Sequence, residues 1–147
     1  MRFDHSVKVQ ATPQRVWEVY SDVARWPEWT PTTIDSVERL DAGRIHVGSK
    51  TRIRQPKLRP AVWEVTDLKE GEYFEWVSRA PGLKTTGGHR VISTPEGTVA
   101  TATIIQEGPL GWLFGRLYAS LTQRYIETET EKLKQVSEQT TPTTDTQ

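Results

Sequence analysis

The feature that most constrains this fold is a series of short strand-like segments over residues 33–106, followed by one long helical stripe. The segments are rich in Val, Ile, Thr and aromatic residues. Four groups of turn-forming residues separate them: Asp41-Ala42-Gly43, Lys69-Glu70-Gly71, Pro81-Gly82 and Pro95-Glu96-Gly97. Strands joined by such short turns usually pair with their neighbours in sequence. The sequence therefore predicts six strands in an antiparallel meander, of which the segment from Ile34 to Leu40 has the weakest pattern.

The first thirty residues predict one more strand and two short helices. Residues 3–10 alternate between apolar and polar side chains, as in a half-buried strand. Thr12 and Pro13 then form a helix start, in which Thr12 caps and Pro13 occupies the first turn. An apolar stripe follows at helical spacing: Val16, Val19, Tyr20 and Val23. Pro27 interrupts this pattern and leaves one short helical turn around Trp26 and Trp29.

The C-terminal third predicts a single long amphipathic helix from Leu110 to Val136. Its apolar residues recur at helical spacing: Leu110, Leu113, Phe114, Leu117, Leu121, Tyr125 and Leu133. An antiparallel sheet with one apolar face needs a cover, and this helix is long enough to provide it. We therefore predict an α+β fold with seven strands in one domain, residues 1–138. Residues 139–147 are polar and Thr-rich, and we expect them to be disordered.

Composition excludes several functional classes. The 19 basic and 19 acidic residues balance, so no overall charge attracts nucleic acid or an anionic membrane. The chain contains no cysteine, which excludes disulfides and thiolate chemistry. No signal peptide and no apolar run of membrane-spanning length are found, so we expect a cytoplasmic protein without stable membrane insertion. The basic run of residues 50–59 alternates outward on a strand, where acidic neighbours can pair with it, and does not indicate nucleic-acid binding.

Strand alternation also predicts which side chains face the helix. The inward set is aromatic and contains few polar groups: Ile53, Trp63, Val65, Phe74, Trp76, His89 and Val91. This composition is typical of a small-molecule pocket, but the same rings could fill a closed core. Gly111 and Gly115 lie on one face of the predicted helix and indicate either close packing or space for a ligand. Gly87-Gly88 is interpreted as a strand bulge or bend.

Several segments together resemble a known family. They are ATPQRVWEVYSDVARWPEW, GSKTRIRQ, WEVTDL and GPLGWLFGRL, with a downstream Leu133-Lys134. Over residues 3–138 they are similar to the polyketide cyclase/dehydrase-like branch of the START-like superfamily (SRPBCC). The resemblance implies the helix-grip fold, a curved seven-stranded antiparallel sheet around a C-terminal helix. It also implies a cavity for apolar ligands between the sheet and the helix. We expect Trp26 to pack in the core and Trp29 to lie at the rim or in the cavity.

The sequence and the resemblance together favour binding of an apolar or aromatic small molecule. The predicted ligand-binding residues are Trp29, Ile53, Trp63, Val65, Phe74, Trp76, His89, Val91, Trp112, Gly115 and Tyr118. His89 is expected to orient a polar group of the ligand. We expect no catalytic residue, metal, cofactor or nucleic-acid partner, and the oligomeric state stays open.

Two alternatives remain at this stage. One is an enzyme that resembles polyketide aromatase/cyclases, which inward acids or tyrosines would favour. The other is a protein-interaction module, which a large exposed apolar patch would favour. On the predicted strands, inward acids and tyrosines are scarce and the outward faces are polar.

Overall fold

A computed structural model describes residues 1–139 of the chain. One seven-stranded sheet dominates it. The strands are β1 (Arg2–Val9), β2 (Ser36–Arg39), β3 (Lys50–Arg54), β4 (Ala61–Lys69), β5 (Tyr73–Ala80), β6 (Leu83–Thr94) and β7 (Gly97–Glu107). The helices are α1 (Pro13–Ser21), α2 (Trp26–Trp29), α3 (Gly111–Leu117) and α4 (Ala119–Glu138), with a single 3-10 turn at Val23–Arg25. The predicted α+β helix-grip fold is confirmed.

The sheet is antiparallel throughout and has the order β1-β7-β6-β5-β4-β3-β2. Strands β2 to β7 form the predicted meander, and β1 returns to pair with β7. The predicted inward faces are also correct, because Val65 and Phe74 are almost completely buried. On the outer face of β3, Arg52 pairs with Glu38 at 2.6 Å, as expected for a solvated, cross-paired surface.

Helix α1 begins as its sequence predicts. The Thr12 hydroxyl accepts a hydrogen bond from the Arg15 backbone N–H at 3.1 Å, and Pro13 occupies the first turn. The role of Pro27 differs from the prediction, because α1 ends at Ser21 and Pro27 lies in the first turn of α2. A proline is tolerated there, since that N–H would have no helical partner. The change of chain direction falls in the 3-10 turn before it.

The predicted continuous helix from Leu110 to Val136 is wrong. The backbone leaves helical geometry at Tyr118 (φ −110°, ψ 17°), and this residue separates α3 from α4. The two helices lie on different parts of the sheet, since α3 contacts β6 and β7 while α4 lies mainly across β1. A single straight helix could not follow both surfaces.

At Gly87-Gly88, where the sequence predicts a bulge or a bend, the structure has no bulge. The pairing of β6 with β5 and β7 runs through both glycines without a register shift. Gly87 instead leaves room for an indole, because a Cβ at this position would lie 2.9 Å from Trp76 Nε1. The irregularity of the sheet lies in β4, between Val65 and Asp67.

Two further findings bear on the sequence predictions. No helix within residues 1–139 is both long and apolar enough to cross a membrane. The tail predicted to be disordered, residues 139–147, lies outside the described part of the chain except for Gln139.

Candidate ligand-binding cleft

The aromatic residues on the inner face of the sheet pack mainly against one another. The rings of Phe74 and Trp76 are 5.4 Å apart, and those of Trp63 and Trp76 are 5.7 Å apart. Trp26 reaches in from α2 and contacts Trp76 at 5.4 Å. Edge-to-face and tilted arrangements at these distances are favourable. The rings therefore fill the centre of the grip and leave little empty space there.

A small cleft remains beside this cluster, between the sheet, the N-terminal helices and α4. Its lining residues are Tyr20, Trp26, Trp29, Gly88, His89, Ala102, Thr103, Ile104, Ile126 and Glu129. The space open to the centre of a water-sized molecule is about 30 Å³. That is enough for one or two waters. A larger ligand can enter only if side chains move.

His89 forms one wall of the cleft in a fixed orientation. Its ring stacks on Phe74 with centroids 4.1 Å apart and planes 11° apart. Nδ1 lies 3.2 Å from the Phe74 carbonyl oxygen, which can only accept, so Nδ1 carries the proton and donates. Burial lowers the pKa of His89 to about 4, although the bond to Phe74 raises it. At neutral pH the ring is therefore uncharged, and Nε2 is an acceptor without a hydrogen-bond partner in residues 1–139.

Glu129 brings a carboxyl group to the same cleft from α4. Its Oε2 accepts a hydrogen bond from Gln55 Nε2 at 3.3 Å. Burial raises the pKa of Glu129 to about 7, against a hydrogen bond with Thr33 that lowers it. Near neutral pH the group therefore exists in both protonation states, and it can donate or accept a proton.

Tyr20 completes the polar part of the cleft. Its ring meets the His89 ring edge to face at 5.3 Å, and its hydroxyl donates to the Thr101 carbonyl at 3.2 Å. Burial raises the pKa of Tyr20, and the nearby Glu129 carboxylate raises it further. The phenol therefore stays protonated, with its proton held by the backbone. Only its oxygen remains available, as an acceptor.

The predicted site residues fall into three groups in the structure. Trp29 and His89 line the cleft. Six others belong to the buried core and do not line the cleft: Ile53, Trp63, Val65, Phe74, Trp76 and Val91. The remaining three, Trp112, Gly115 and Tyr118, belong to α3 and the break that follows it. Whether any of these residues binds a ligand stays a prediction.

The positions expected for Trp112 and Gly115 are wrong. Both were predicted to contact a ligand in the pocket, but neither lines the cleft, and Trp112 is 61% exposed. A Cβ at Gly115 would collide with the side chain of Met1 and lie 3.0 Å from Gln106 Oε1. Gly115 therefore serves close packing and leaves no space for a ligand. Tyr118 stacks on Phe114 with ring centroids 6.0 Å apart.

Eight of the ten residues that line the cleft were not among the predicted site residues, and two of these eight, Tyr20 and Glu129, are ionisable. Tyr20 was recognised as part of an apolar stripe but not as an inward polar group. Glu129 lies on the buried side of α4, four residues after Tyr125 and four before Leu133. A carboxylate among buried residues of an amphipathic helix is a detectable signal. Helices, and not strands, supply the inward acid and tyrosine.

The described residues hold no cluster of three or more His, Asp and Glu side chains suited to a metal ion. The cleft itself offers one imidazole and one carboxylate. Its chemistry is therefore hydrogen bonding and proton exchange between aromatic walls.

Solved structures show that the fold recurs at low sequence identity. The chain is similar to the protein TTHA0849 from Thermus thermophilus, with 16% identity, a TM-score of 0.73, and 93% of this chain and 97% of that chain covered. The Zhui aromatase/cyclase from Streptomyces sp. R1128 has 18% sequence identity and a TM-score of 0.71. The match covers 94% of this chain and 93% of that chain. Norcoclaurine synthase from Thalictrum flavum, in complex with dopamine and hydroxybenzaldehyde, has 14% sequence identity and a TM-score of 0.72. The match covers 92% of this chain and 85% of that chain.

Sequence comparison is more decisive for the family. No curated protein sequence matches the chain. The family model described as polyketide cyclase / dehydrase and lipid transport matches residues 1–138, nearly the whole chain. The chain therefore belongs to the polyketide cyclase/dehydrase and lipid transport family.

Proposed function

We propose that the protein binds a small planar aromatic ligand that carries a hydroxyl or N–H donor. The observation that carries this proposal is the His89 Nε2 atom, an acceptor without a partner in residues 1–139, placed in a cleft with aromatic walls. Nε2 is not completely buried, so a donor group of a ligand can reach it from the cleft and form a hydrogen bond with it. Pockets of this kind combine apolar walls with a few polar groups that orient the ligand.

Binding requires the cleft to widen, because its present volume holds only water. Trp29 is the side chain best placed to move, since it is half-buried and lies in the four-residue helix α2. Its neighbour Trp26 is held by a hydrogen bond from Nε1 to the Tyr20 carbonyl at 3.0 Å. The energy needed to open the cleft lowers the observed affinity. We therefore expect modest affinity, in the micromolar range or weaker.

A matched pair of ligands tests the proposal. 2-Naphthol and naphthalene share a ring system, but only 2-naphthol can donate a hydrogen bond to Nε2. Isothermal titration calorimetry should show about fivefold tighter binding of 2-naphthol, the value of a hydrogen bond worth about 1 kcal/mol. His89→Phe keeps a ring against Phe74 and removes the acceptor, so this preference should disappear while naphthalene binding persists.

The control for this experiment is His46→Gln, because His46 lies in the loop between β2 and β3 and does not line the cleft. It should bind both compounds like the wild type. Equal affinities of the wild type for 2-naphthol and naphthalene would contradict the role of His89. Absence of binding to either compound would contradict the aromatic ligand class.

The second candidate is an aromatase/cyclase-like enzyme, and Glu129 favours it. A carboxyl with a pKa of about 7 beside a neutral imidazole can move protons at neutral pH. Incubation with a poly-β-carbonyl thioester would test this candidate by mass spectrometry. Multiple turnover to a cyclised, dehydrated product that is lost in Glu129→Gln would establish the enzyme, and the simple binding function would then be incomplete.

The proposal includes no cofactor, metal or nucleic acid. It keeps the cytoplasm as the expected compartment, because a chain without cysteine gains nothing from an oxidising environment.

A further inference from the structure

Within residues 1–139, the cleft contains one group that can carry a full charge at neutral pH, the Glu129 carboxyl. Ten of these residues line the cleft, and none of the ten is a lysine or an arginine. Tyr20 stays protonated because burial raises its pKa, and His89 stays neutral because burial lowers its pKa. The cleft is therefore either uncharged or negative, and it is negative whenever Glu129 is ionised.

Glu129 has no cation beside it in the described part of the chain. No salt bridge within residues 1–139 includes it. Its hydrogen-bond partners are neutral, namely the Gln55 side-chain amide at 3.3 Å and Thr33. Carboxylates that are withdrawn from water are usually paired with a cation. A ligand that enters the cleft can supply this partner.

Aromatic rings from the N-terminal helices surround the same space. The rings of Trp26 and Trp29 have centroids 6.2 Å apart and planes 63° apart. Tyr20 lies beside Trp26, with ring centroids 6.3 Å apart. The three rings therefore form adjacent walls at different angles, and not one flat surface. Walls of this kind attract a positively charged group, because the faces of aromatic rings carry negative partial charge.

We propose that the aromatic ligand carries a protonated amine, which pairs with Glu129 and lies against the rings of Trp26 and Trp29. This inference rests on the proposed aromatic ligand and adds the chemical class of a second polar group. A carboxylate attracts an ammonium group by charge and accepts its N–H donors, whereas an alcohol offers one neutral donor. The aromatic walls stabilise the same positive charge. His89 Nε2 remains free to accept the other donor of the ligand.

A purely structural role of Glu129 would not require its charge. The contact with Gln55 needs only an oxygen that accepts, and a glutamine at position 129 would also provide one. The carboxylate, by contrast, is withdrawn from water at a cost that an uncharged side chain avoids. A ligand cation offsets this cost, because a nearby positive charge favours the ionised carboxylate. The charge of Glu129 therefore favours a cationic ligand, whereas its hydrogen bond to Gln55 does not.

Three naphthalene compounds that differ in one substituent test the proposal. 2-Naphthylmethylamine is a cation, 2-naphthylmethanol is neutral and 2-naphthoate is an anion, and all three are similar in size. Isothermal titration calorimetry at pH 8, where Glu129 is ionised, should show at least tenfold tighter binding of the amine than of the alcohol. 2-Naphthoate should bind more weakly than the alcohol, because ionised Glu129 repels it.

Two variants separate the carboxylate from the rings. Glu129→Gln keeps the shape of the side chain and an acceptor for Gln55, but it removes the charge. In this variant the amine and the alcohol should bind equally, and the alcohol should bind as it does to the wild type. Trp29→Leu keeps the wall apolar and removes one ring, so it should weaken binding of the amine severalfold more than binding of the alcohol.

Glu127→Gln is the matched control, because Glu127 is an exposed acid of the same helix that does not line the cleft. It should keep the wild-type preference for the amine. Equal affinity of the wild type for the amine and the alcohol would overturn the inference, and so would a preference that persists in Glu129→Gln. Circular dichroism checks that the variants are folded, and the wild-type comparison of the three compounds is decisive even if one variant is not.

The failure of this inference can be distinguished from the failure of the proposed function. If 2-naphthol binds more tightly than naphthalene while the amine and the alcohol bind equally, the aromatic ligand stands and its ammonium group is excluded. If none of the naphthalene compounds binds, the proposed function and this inference both fail.

Discussion

The α1–α2 segment and α3 are both short, aromatic-rich helical segments on the same sheet, but they use their aromatic residues in opposite ways. In α1 and α2, large side chains face the sheet, and Trp26 is 5% exposed. In α3, glycines face the sheet and Trp112 is 61% exposed. Apolar content alone therefore does not decide burial. What decides burial is whether large or small side chains lie on the helix face that contacts the sheet.

The largest test of this contrast is the removal of each indole. Trp26→Ala should lower the free energy of unfolding by about 3–5 kcal/mol, because it deletes a buried ring and its hydrogen bond to Tyr20. Trp112→Ala should change it by less than about 0.5 kcal/mol, as expected at an exposed position. Urea denaturation measures both. Similar losses in the two variants would mean that α3 is also packed through its tryptophan.

A single added methyl group gives a finer test, because a glycine in tight contact lies both in the sheet, at Gly87, and in α3, at Gly115. Gly87→Ala should destabilise by about 1–3 kcal/mol, since the buried Trp76 indole cannot withdraw from the new Cβ. Gly115→Ala would place its Cβ against Met1 Cβ at 2.7 Å, and the Met1 backbone is held by hydrogen bonds to Gln106. We expect a loss of similar size, offset in part by a gain in helix propensity of up to about 1 kcal/mol.

Gly88→Ala is the control for Gly87→Ala, because its Cβ would lie 3.5 Å from Thr103 Cβ, an ordinary contact. Thermal unfolding of the three variants ranks them directly. If Gly87→Ala were as stable as Gly88→Ala, Trp76 would have room to shift and the aromatic cluster would be looser than its burial indicates.

The pH dependence of stability should also distinguish the cleft from α3. The pKa of Glu129 is raised in the folded state to about 7, above its ordinary value of 4.5. The folded protein therefore binds this proton more tightly than the unfolded chain, and stability falls as pH rises from about 4.5 to 7. Glu129→Gln removes this loss. The free energy of unfolding of this variant should exceed that of the wild type by about 1–2 kcal/mol at pH 8, a value reduced for partial solvation. At pH 5 the difference should be much smaller.

The shift of His89 acts in the opposite direction. Its pKa is lowered to about 4, so its contribution to stability is lost as pH falls from about 6.5 to 4. The comparison of Glu129→Gln with the wild type cancels this term, because both proteins contain His89. Arg116→Gln on α3 should leave the pH profile unchanged. A constant difference between Glu129→Gln and the wild type at all pH values would contradict the assigned pKa.

The smallest expected effect concerns helix ends. The start of α1 is capped by the Thr12 side chain, but α3 has no side-chain cap. Thr12→Ala should cost about 1 kcal/mol. In the wild type, hydrogen exchange should be faster for amides of α3 than for those of α1, because an uncapped seven-residue helix opens more easily. Equal protection of the two helices would show that packing, and not capping, governs their stability.

The parts of the fold that sequence predicts well are those decided locally. Alternation within one strand is sufficient to place Val65 and Phe74 inside, and Thr12-Pro13 is sufficient to begin α1. The break at Tyr118 and the exposure of Trp112 depend on where distant strands lie beneath the helix, so periodicity cannot reveal them. The apolar stripe that predicted one helix is real, but its two halves face different surroundings.

The candidate site shows the same division. His89 was placed inward by alternation alone, but its hydrogen bond to the Phe74 carbonyl depends on the register between β5 and β6. Glu129 and Tyr20 line the same cleft as His89 only because α4 and α1 both contact β7. A carboxylate on the buried side of α4 could have indicated the site, whereas its partners could not be inferred before the fold was known.

The hydrogen bond from His89 to the Phe74 carbonyl has a consequence for selectivity. It fixes the proton on Nδ1, and the low pKa keeps a second proton off Nε2 at neutral pH. The cleft therefore has no cation opposite this atom to offset a negative charge on a guest. A phenol that keeps its proton can dock there, whereas one acidic enough to be a phenolate is repelled by the Nε2 lone pair and by ionised Glu129. The binding cleft would thus sort otherwise similar compounds by their own acidity, accepting 2-naphthol and rejecting a nitrophenolate of comparable size.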